Sequence, residues 1–236
     1  MQKLVLNGYV IHRRAYRETS LLVDFFTRES GKVSAVAKGA RGNSKSERKS
    51  LLQPLQYIEF ECAGRTNLKN LGHLDSLDNA LSLKGKALYS AFYINEIIQR
   101  ALPEGEAFEH LFGIYQQTLH SLAGIIHDTN DAIEPILRQF EFALLENLGY
   151  LPDFSSNATN GEAIAEAHYY KYELEHGFVR CEASAVHAIS GTLLHEISNG
   201  NLSLRALKVA KYIVRVTLPL AIGDKPLKSR ELFSQL

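Results

Sequence analysis

The sequence predicts an α+β fold in which an N-terminal five-stranded barrel precedes an all-helical domain with a small irregular hairpin insert. Two observations predict it. Apolar residues alternate with a period of two from Leu4 to about Leu74, and the apolar period becomes 3.6 after Leu77. This change of period predicts domains over residues 1–78 and 79–236, with the insert at about 151–183.

The barrel is predicted from five short runs with strand periodicity. They cover residues 4–11, 21–27, 33–37, 58–62 and 68–74. Ile58, Phe60 and Cys62 share one face of the fourth run while Glu59 and Glu61 share the other, as expected of a half-buried strand. Five short strands so close together favour a closed barrel, because closure removes the exposed edges of an open sheet.

Five helices and a hairpin are predicted in the second domain. Helical stripes cover residues 87–102, 108–122 and 133–148, and two later helices cover 185–198 and 204–220. Gly149 and Pro152 follow the third stripe as a C-cap and a stop signal would. The hairpin joins residues 168–173 and 178–181 through a turn at 175–177.

Charged residues are sorted along a chain whose formal net charge is zero. Residues 1–80 hold 13 cations and 8 anions, residues 81–200 hold 6 and 16, and residues 201–236 hold 7 and 2. The three segments therefore carry +5, −10 and +5. Between residues 28 and 49, seven cations face two glutamates, and such a block attracts phosphates or acidic protein tails.

A DNA-binding surface is predicted from this basic block. Its loop at residues 38–49 is also rich in glycine and serine, which suits several cations laid along a phosphate backbone; the alternative is a merely solvated loop. Tyr9, Tyr16 and Tyr57 are candidates for base stacking, although packing in the core is the stronger interpretation of each. The predicted DNA-binding residues are Arg13, Arg14, Arg28, Lys32, Lys38, Arg41, Lys45, Arg48 and Lys49.

No catalytic residue, cofactor or metal site is predicted. The sequence lacks a Walker A loop, and His195 lacks the second histidine of a zinc-protease helix because Asn199 stands at that position. His168, His176 and Cys181 lie near one another in sequence, but they include no close pair of the kind typical of structural zinc.

A cytoplasmic protein is expected. No apolar run approaches the roughly 20 residues that span a bilayer, and the N-terminus lacks the apolar core of a signal peptide. In that compartment Cys62 and Cys181 are expected to be two reduced thiols, although one disulfide is arithmetically possible.

Several motifs of the chain resemble the RecO family of bacterial recombination mediators. They are ETS at 18–20, FTRESGK at 26–32, VAKGAR at 36–41, LQPL at 52–55, YINE at 93–96, FEFALL at 140–145, LGY at 148–150 and KPLKSRELF at 225–233. The match runs almost end to end. The VAKGAR box and the KPLKSRELF tail are its most specific pieces, while the helical stripes alone are generic.

The resemblance implies an OB-fold barrel followed by a helical domain, and a function without turnover chemistry. It implies binding of single- and double-stranded DNA, annealing of strands coated with single-stranded-DNA-binding protein (SSB), and loading of RecA with RecR as partner. A cytoplasmic, nucleoid-associated protein is expected. Many family members carry a four-cysteine zinc module after the LGY motif, and because this chain has only Cys181 of that set, a zinc-free member is expected.

A second binding face is predicted on the last long helix, where Lys208, Lys211 and Arg215 fall on one side. The acidic, apolar-ended tail of SSB, a partner that the resemblance implies, would suit this face. Arg138 is predicted as a carboxylate clamp because a guanidinium binds bidentately. The alternatives are that these cations only solvate a helix, or that the chain is a protein-interaction adaptor with incidental DNA contact.

Overall fold

The computed structural model describes residues 3–41, 47–78, 80–126 and 129–233. It contains the closed five-stranded barrel and the helices that the two periodicities predict, so the predicted fold class is confirmed. The contacts among residues divide the chain into unit 1, with residues 1–133 and 225–236, and unit 2, with residues 134–224. The domain boundary near residue 78 stays a prediction.

Five strands form the barrel of unit 1. They are β1 (Lys3–Tyr16), β2 (Ser20–Thr27), β3 (Gly31–Ala37), β4 (Tyr57–Ala63) and β5 (Lys69–Ser76). They close in the order β1-β2-β3-β5-β4, with β3 and β5 parallel and the other pairs antiparallel. β1 reaches two neighbours, because its first half pairs with β4 and its second half with β2.

Alternate residues of the strands fill the barrel interior. Phe25, Phe60 and Cys62 are at most 1% exposed, and the rings of Phe25 and Phe60 stack at 4.1 Å. The short helix α1 (Glu47–Leu51) packs against this interior, since Leu52 directly after it is fully buried in the same cluster. The sequence did not predict α1, because five residues are too few to show a helical period.

The turn between β2 and β3 requires a glycine at position 31. The φ of Gly31 is +59°, in the left-handed region, and a Cβ at this position would overlap the carbonyl group of Glu106. The glycine of the FTRESGK motif therefore permits the close approach of the loop at Glu106 to the barrel.

Two helices, α2 (Gly85–Ala101) and α3 (Glu109–Ala123), pack beside the barrel in unit 1, as their apolar stripes predict. Buried hydrogen bonds join them to β1. The Tyr115 hydroxyl donates to Asn95 Oδ1 (2.7 Å), and Asn95 Nδ2 donates to the Ile11 carbonyl (3.1 Å). Because Asn95 is only 2% exposed, its amide depends on these protein partners and not on water.

The C-terminal tail is bound to α2 through Glu96. The carboxylate accepts hydrogen bonds from the backbone N–H groups of Lys228 (2.9 Å) and Ser229 (2.8 Å) and from the Ser229 hydroxyl (2.6 Å). Ser229 begins the short helix α7 (Ser229–Phe233), so Glu96 satisfies N–H groups that no helical carbonyl reaches. The YINE and KPLKSRELF motifs therefore meet in space.

We expect Glu96→Gln to weaken the tail contact by about 1–3 kcal/mol, since it removes a charged acceptor of three hydrogen bonds. Burial raises the pKa of Glu96, but the hydrogen bonds from Ser229 and Lys228 outweigh it and hold the pKa below its usual value. The contribution is therefore complete above the unfolded-state pKa and is lost as the pH falls through the lowered pKa.

Hydrogen exchange of the α7 amides measures this effect between neutral and acid pH. The exposed carboxylate of Glu106 provides a control through Glu106→Gln. Equal exchange in the two variants at neutral pH would show that Glu96 does not hold the tail.

Unit 2 contains a small sheet, two complete helices and the greater part of a third. Its elements are α4 (Asn130–Asn147), β6 (Tyr169–Glu173), β7 (Gly177–Cys181), β8 (Ile189–Ser190), α5 (Gly191–Ser198) and α6 (Leu204–Ile222). The predicted hairpin is confirmed, because β6 pairs antiparallel with β7 in a sheet of order β7-β6-β8. Phe178, Leu194 and Ile213 are fully buried in its core. No helix of the described residues is long and apolar enough to cross a membrane.

The helix predicted at residues 185–198 is wrong in its first half. Ile189 and Ser190 pair with β6, and His187 has a φ of +61°, which a right-handed helix does not accommodate. α5 begins at Gly191, where the Ser190 hydroxyl caps the helix by accepting a hydrogen bond from the Leu193 N–H (3.4 Å). Pairing with a distant strand therefore overrides the local apolar spacing.

Candidate nucleic-acid interface

The outer face of β2 and β3, a common ligand face of OB-fold barrels, is covered within unit 1. Phe26 packs edge-on against Phe112 of α3 at 5.3 Å, and Gln99 of α2 donates a hydrogen bond to Asp24 Oδ2 at 3.3 Å. Phe26 is 0% exposed and Asp24 is 5% exposed. Nucleic acid therefore cannot reach these side chains.

Two of the three candidate stacking tyrosines belong to the same packed interface. Tyr9 is 2% exposed, stacks on Tyr57 at 4.5 Å and meets Tyr115 edge-on at 5.1 Å. The packing interpretation of Tyr9 and Tyr57 is thus confirmed. Tyr16 lies at the end of β1, half-buried, with the Arg17 guanidinium 5.3 Å from its ring centroid. Of the three rings, Tyr16 remains the candidate for a base.

Strand register divides the predicted basic block between opposite ends of the barrel. Ala37 pairs with Leu21 beside the β1–β2 turn, so Lys38 lies at that end, whereas Arg28 lies in the β2–β3 turn. β2 has eight residues, and at about 3.3 Å per residue its two ends are about 23 Å apart. The block therefore does not form one contiguous patch.

The barrel end at the β1–β2 turn carries a cluster of cations, which we call the rim. The rim consists of Arg14, Tyr16, Arg17, Lys38 and Arg41. The Arg41 N–H donates to the Thr19 carbonyl (2.9 Å), and Arg41 Nη1 donates to the Arg17 carbonyl (2.8 Å). These bonds tie the loop after β3 to the β1–β2 turn. The four cations of the rim are all exposed.

Besides Arg41, three predicted DNA-binding residues contact the protein itself. Lys32 Nζ donates to a carbonyl of α2 (2.9 Å), and Arg48 Nη2 donates to a carbonyl of β5 (3.2 Å). The Arg28 guanidinium lies 5.8 Å from the ring centroid of Phe112 in α3. These contacts give the three cations structural roles at their own positions.

The last three predicted DNA-binding residues belong neither to the rim nor to the three cations just described. Arg13 and Lys49 are half-buried, and Lys45 lies outside the described residues. The rim also contains Arg17, which sequence reasoning missed. The position of Arg17 between the first two predicted strands could have indicated that it lies at the rim, because a turn between two strands lies at one end of a barrel.

The charge around the barrel favours a phosphate ligand at the rim. The outer face of β4 and β5 presents Glu59, Glu61 and Asp75, of which Glu61 pairs with Lys3 at 3.1 Å. At the rim, the described residues of the β1–β2 turn contribute one carboxylate, Glu18. A polyanion is therefore attracted to the rim and repelled by the acidic face.

A serine, a histidine and an aspartate meet beneath α2, but their arrangement is not that of a catalytic triad. Ser34 Oγ donates to Asp24 Oδ1 (2.7 Å), and His12 Nδ1 lies 3.4 Å from Asp24 Oδ2. In a triad the histidine lies between the serine and the aspartate, whereas here the carboxylate lies between the other two. Burial raises the pKa of Asp24, but hydrogen bonds from His12 and Ser34 lower it below its usual value.

A second group of cations lies on α6 in unit 2. Lys208, Lys211 and Arg215 are exposed, and Arg205 extends the same face toward the start of the helix. Lys211 Nζ forms an ion pair with Glu134. Three cations of this α6 face thus remain for a ligand.

Arg138, predicted as a clamp beside this face, is engaged within α4. It is 7% exposed; its Nη2 donates to Glu141 Oε1 (2.9 Å), and its Nε lies 2.9 Å from Glu141 Oε2. The guanidinium proposed to bind a ligand's carboxylate is therefore already paired with a buried one. The i, i+3 spacing of the two residues was the sequence signal for this pair.

No three His, Cys, Asp or Glu side chains come close enough to hold a metal ion within the described ranges. Cys62 and Cys181 are free thiols, and burial raises the pKa of each. That the chain is a zinc-free family member stays a prediction.

Comparison with known proteins identifies the family. The family model for the N-terminal part of recombination protein O matches residues 1–80, and the model for its C-terminal part matches residues 83–231. A protein of Alteromonas mediterranea named DNA repair protein RecO is 47% identical, with 97% of this chain and 96% of that protein covered.

Two further proteins of the same name are similar over comparable lengths. The protein of Pseudoalteromonas atlantica is 46% identical, with 98% of this chain and 94% of that protein covered. For Pasteurella multocida the identity is 42%, with 97% of this chain and 93% of that protein covered. With both halves of the barrel-and-helix architecture matched, the chain belongs to the RecO family of DNA repair and recombination proteins.

Proposed function

We propose that the chain is a non-enzymatic recombination mediator. It binds single- and double-stranded DNA through the rim, anneals complementary strands, and with RecR helps to load RecA onto SSB-coated single strands. Its membership of the RecO family supports the repair role, and the exposed cations of the rim are the observation that carries the DNA-binding step. A cytoplasmic, nucleoid-associated location is proposed with this role.

The proposed mechanism is electrostatic. Two complementary strands repel each other through their phosphates, and the rim cations reduce this repulsion when both strands lie on the barrel end. Binding releases counterions, so it weakens as salt is added. Tyr16, beside the Arg17 guanidinium, supplies a ring on which an unpaired base stacks.

Annealing of two complementary oligonucleotides by the isolated chain, without SSB or RecR, tests the proposal. We expect annealing at about 50 mM salt and a steep decrease by about 200 mM. Annealing that is insensitive to salt would contradict the electrostatic mechanism. Activity that appears only when a protein partner is added would favour the adaptor.

The acidic tail of SSB is proposed to bind the α6 face. Leu204, Lys208 and Arg215 lie on one side of α6, and Leu204 is 70% exposed. The cations suit the acidic residues of such a tail, and Leu204 suits its apolar end. The buried pair of Arg138 with Glu141 favours a structural role for that guanidinium, so the proposed site depends on the α6 cations.

We expect the double change Lys208→Ala and Arg215→Ala to weaken binding of an SSB tail peptide by about 1–3 kcal/mol, because two charge-assisted contacts are lost. Oligonucleotide binding at the rim should stay nearly unchanged. Titration of a labelled tail peptide measures the first effect. The hairpin cations Lys171 and Arg180 provide a control double change of equal charge, and equal peptide affinity in both variants would place the tail site elsewhere.

A further inference from the structure

A cavity of about 170 Å³ opens in the barrel wall at the end opposite the rim. β3 and β5 pair through Ala35 with Lys69 and Val36 with Asn70 among the described residues. The first half of β3 meets the loop after α2 instead, because Gly31 and Lys32 bridge to Glu104 and the Gly105 N–H donates to the Lys32 carbonyl (3.0 Å). A gap remains between this loop and β5. The cavity lies at this gap. Its lining includes Lys32 and Lys69 at the mouth.

The floor of the cavity is closed and apolar. Leu6, Val33 and Cys62 line it, and they are 5%, 8% and 1% exposed as members of the barrel core. A ligand that enters therefore meets a dead end, and a continuous strand cannot pass through.

Charged groups surround the mouth of the cavity. Lys32 Nζ donates to the Gln99 carbonyl (2.9 Å) and Lys69 Nζ to the Gly64 carbonyl (3.3 Å), and each ammonium has three donors. Both ammonium groups therefore keep donors for an anion. Glu104 also lines the cavity; its Oε1 lies 2.9 Å from Ser34 Oγ, which leaves Oε2 as an acceptor.

We propose that this cavity binds the terminal nucleotide of a DNA strand. The apolar floor suits the ring of a base, the two lysines suit its phosphate, and a carboxylate accepts a hydrogen bond from an exocyclic amine. The volume is well below the roughly 300 Å³ at which drug-sized sites begin, so the cavity suits one base. The dead end selects a strand terminus over a continuous strand.

This site, which presupposes the proposed DNA binding, lies at the other end of the barrel from the rim. A 5′-phosphorylated single strand of about 30 nucleotides and a circle of the same sequence distinguish the two sites, because only the linear strand has an end. We expect the wild-type chain to bind the linear strand about fivefold more tightly in a fluorescence anisotropy titration, as one charge-assisted contact suggests.

The change Lys69→Met should remove this preference by weakening linear binding alone, since methionine keeps the apolar stem of the side chain but not the charge. Arg65→Met, in the turn that leads into β5 but outside the cavity lining, should retain the preference. Deoxyadenosine 5′-monophosphate should reduce linear binding by the wild-type chain to the level of the circle.

Equal binding of both forms by the wild-type chain, or a preference that survives Lys69→Met, would overturn the terminal-nucleotide site while leaving the rim intact. Binding of neither form would instead contradict the proposed DNA-binding function itself. The mononucleotide competition needs no variant, so it decides the question even if Lys69→Met does not fold.

Discussion

The double change Arg14→Glu and Lys38→Glu is expected to lower the affinity for a circular single-stranded oligonucleotide by about 10- to 100-fold at low salt. Both side chains are exposed on the rim, and the described residues include no hydrogen-bond or ion-pair partner for either. The change therefore replaces two cations by two anions without breaking an internal contact. The slope of log K against log salt should fall in magnitude by about 1.4, since each single-strand contact contributes about 0.7.

A control with the same change of net charge isolates the rim. Arg65 and Lys84 are exposed and lie outside the rim, so Arg65→Glu with Lys84→Glu changes the global field equally. We expect this variant to lose well under tenfold in affinity for a circular oligonucleotide. Equal losses in the two variants would mean that binding follows net charge, and the rim would not be the DNA site.

The change Phe112→Ala is expected to lower the free energy of unfolding of unit 1 by about 3–5 kcal/mol. Phe112 is fully buried in α3, and its ring lies 5.3 Å from Phe26, 6.0 Å from Tyr9 and 6.3 Å from Tyr57. Alanine would leave a cavity among three aromatic rings that are held by the barrel strands. The packing of α3 against the barrel therefore weakens.

Thermal and urea unfolding, followed by the near-ultraviolet circular dichroism of the tyrosines, measures the loss. Phe233→Ala provides the matched control, because the same atoms are removed from a ring that is 37% exposed. We expect the control to lose less than half as much. Similar losses would show that the aromatic cluster does not fasten α3.

The barrel and most helices follow from local periodicity. Apolar and polar residues alternate along β4, and Phe60 and Cys62 point into the barrel. Because only one face of the strand is buried, only one register places its apolar residues inside. The helical stripes of α2 and α3 follow equally from the 3.6-residue period. The short helices α1 and α7 could not be predicted in this way, because each is shorter than two turns.

The candidate site was only partly predictable. Lys38 and Arg41 belong to the VAKGAR box and were predicted, whereas Arg28 and Lys32, equally basic and nearby in sequence, proved to lie toward the opposite end of the β2–β3 hairpin. Sequence distance does not measure the distance between the ends of a hairpin. Arg138 shows a different limit: its i, i+3 spacing indicated Glu141 as a partner, but only the packing of α4 shows that the pair is buried.

Sequence patterns alone predicted the five barrel strands, the hairpin and the long helices, together with the sorted charge of the chain and, through its motifs, its family. These are properties of local composition and residue spacing, and they can be inferred without knowing which residues are in contact. The packed fold was needed to establish which cations face solvent at the rim, which tyrosines pack against α3, and where the cavity beside β3 and β5 opens. Those outcomes depend on strand register and helix packing, which bring together residues that are distant in sequence.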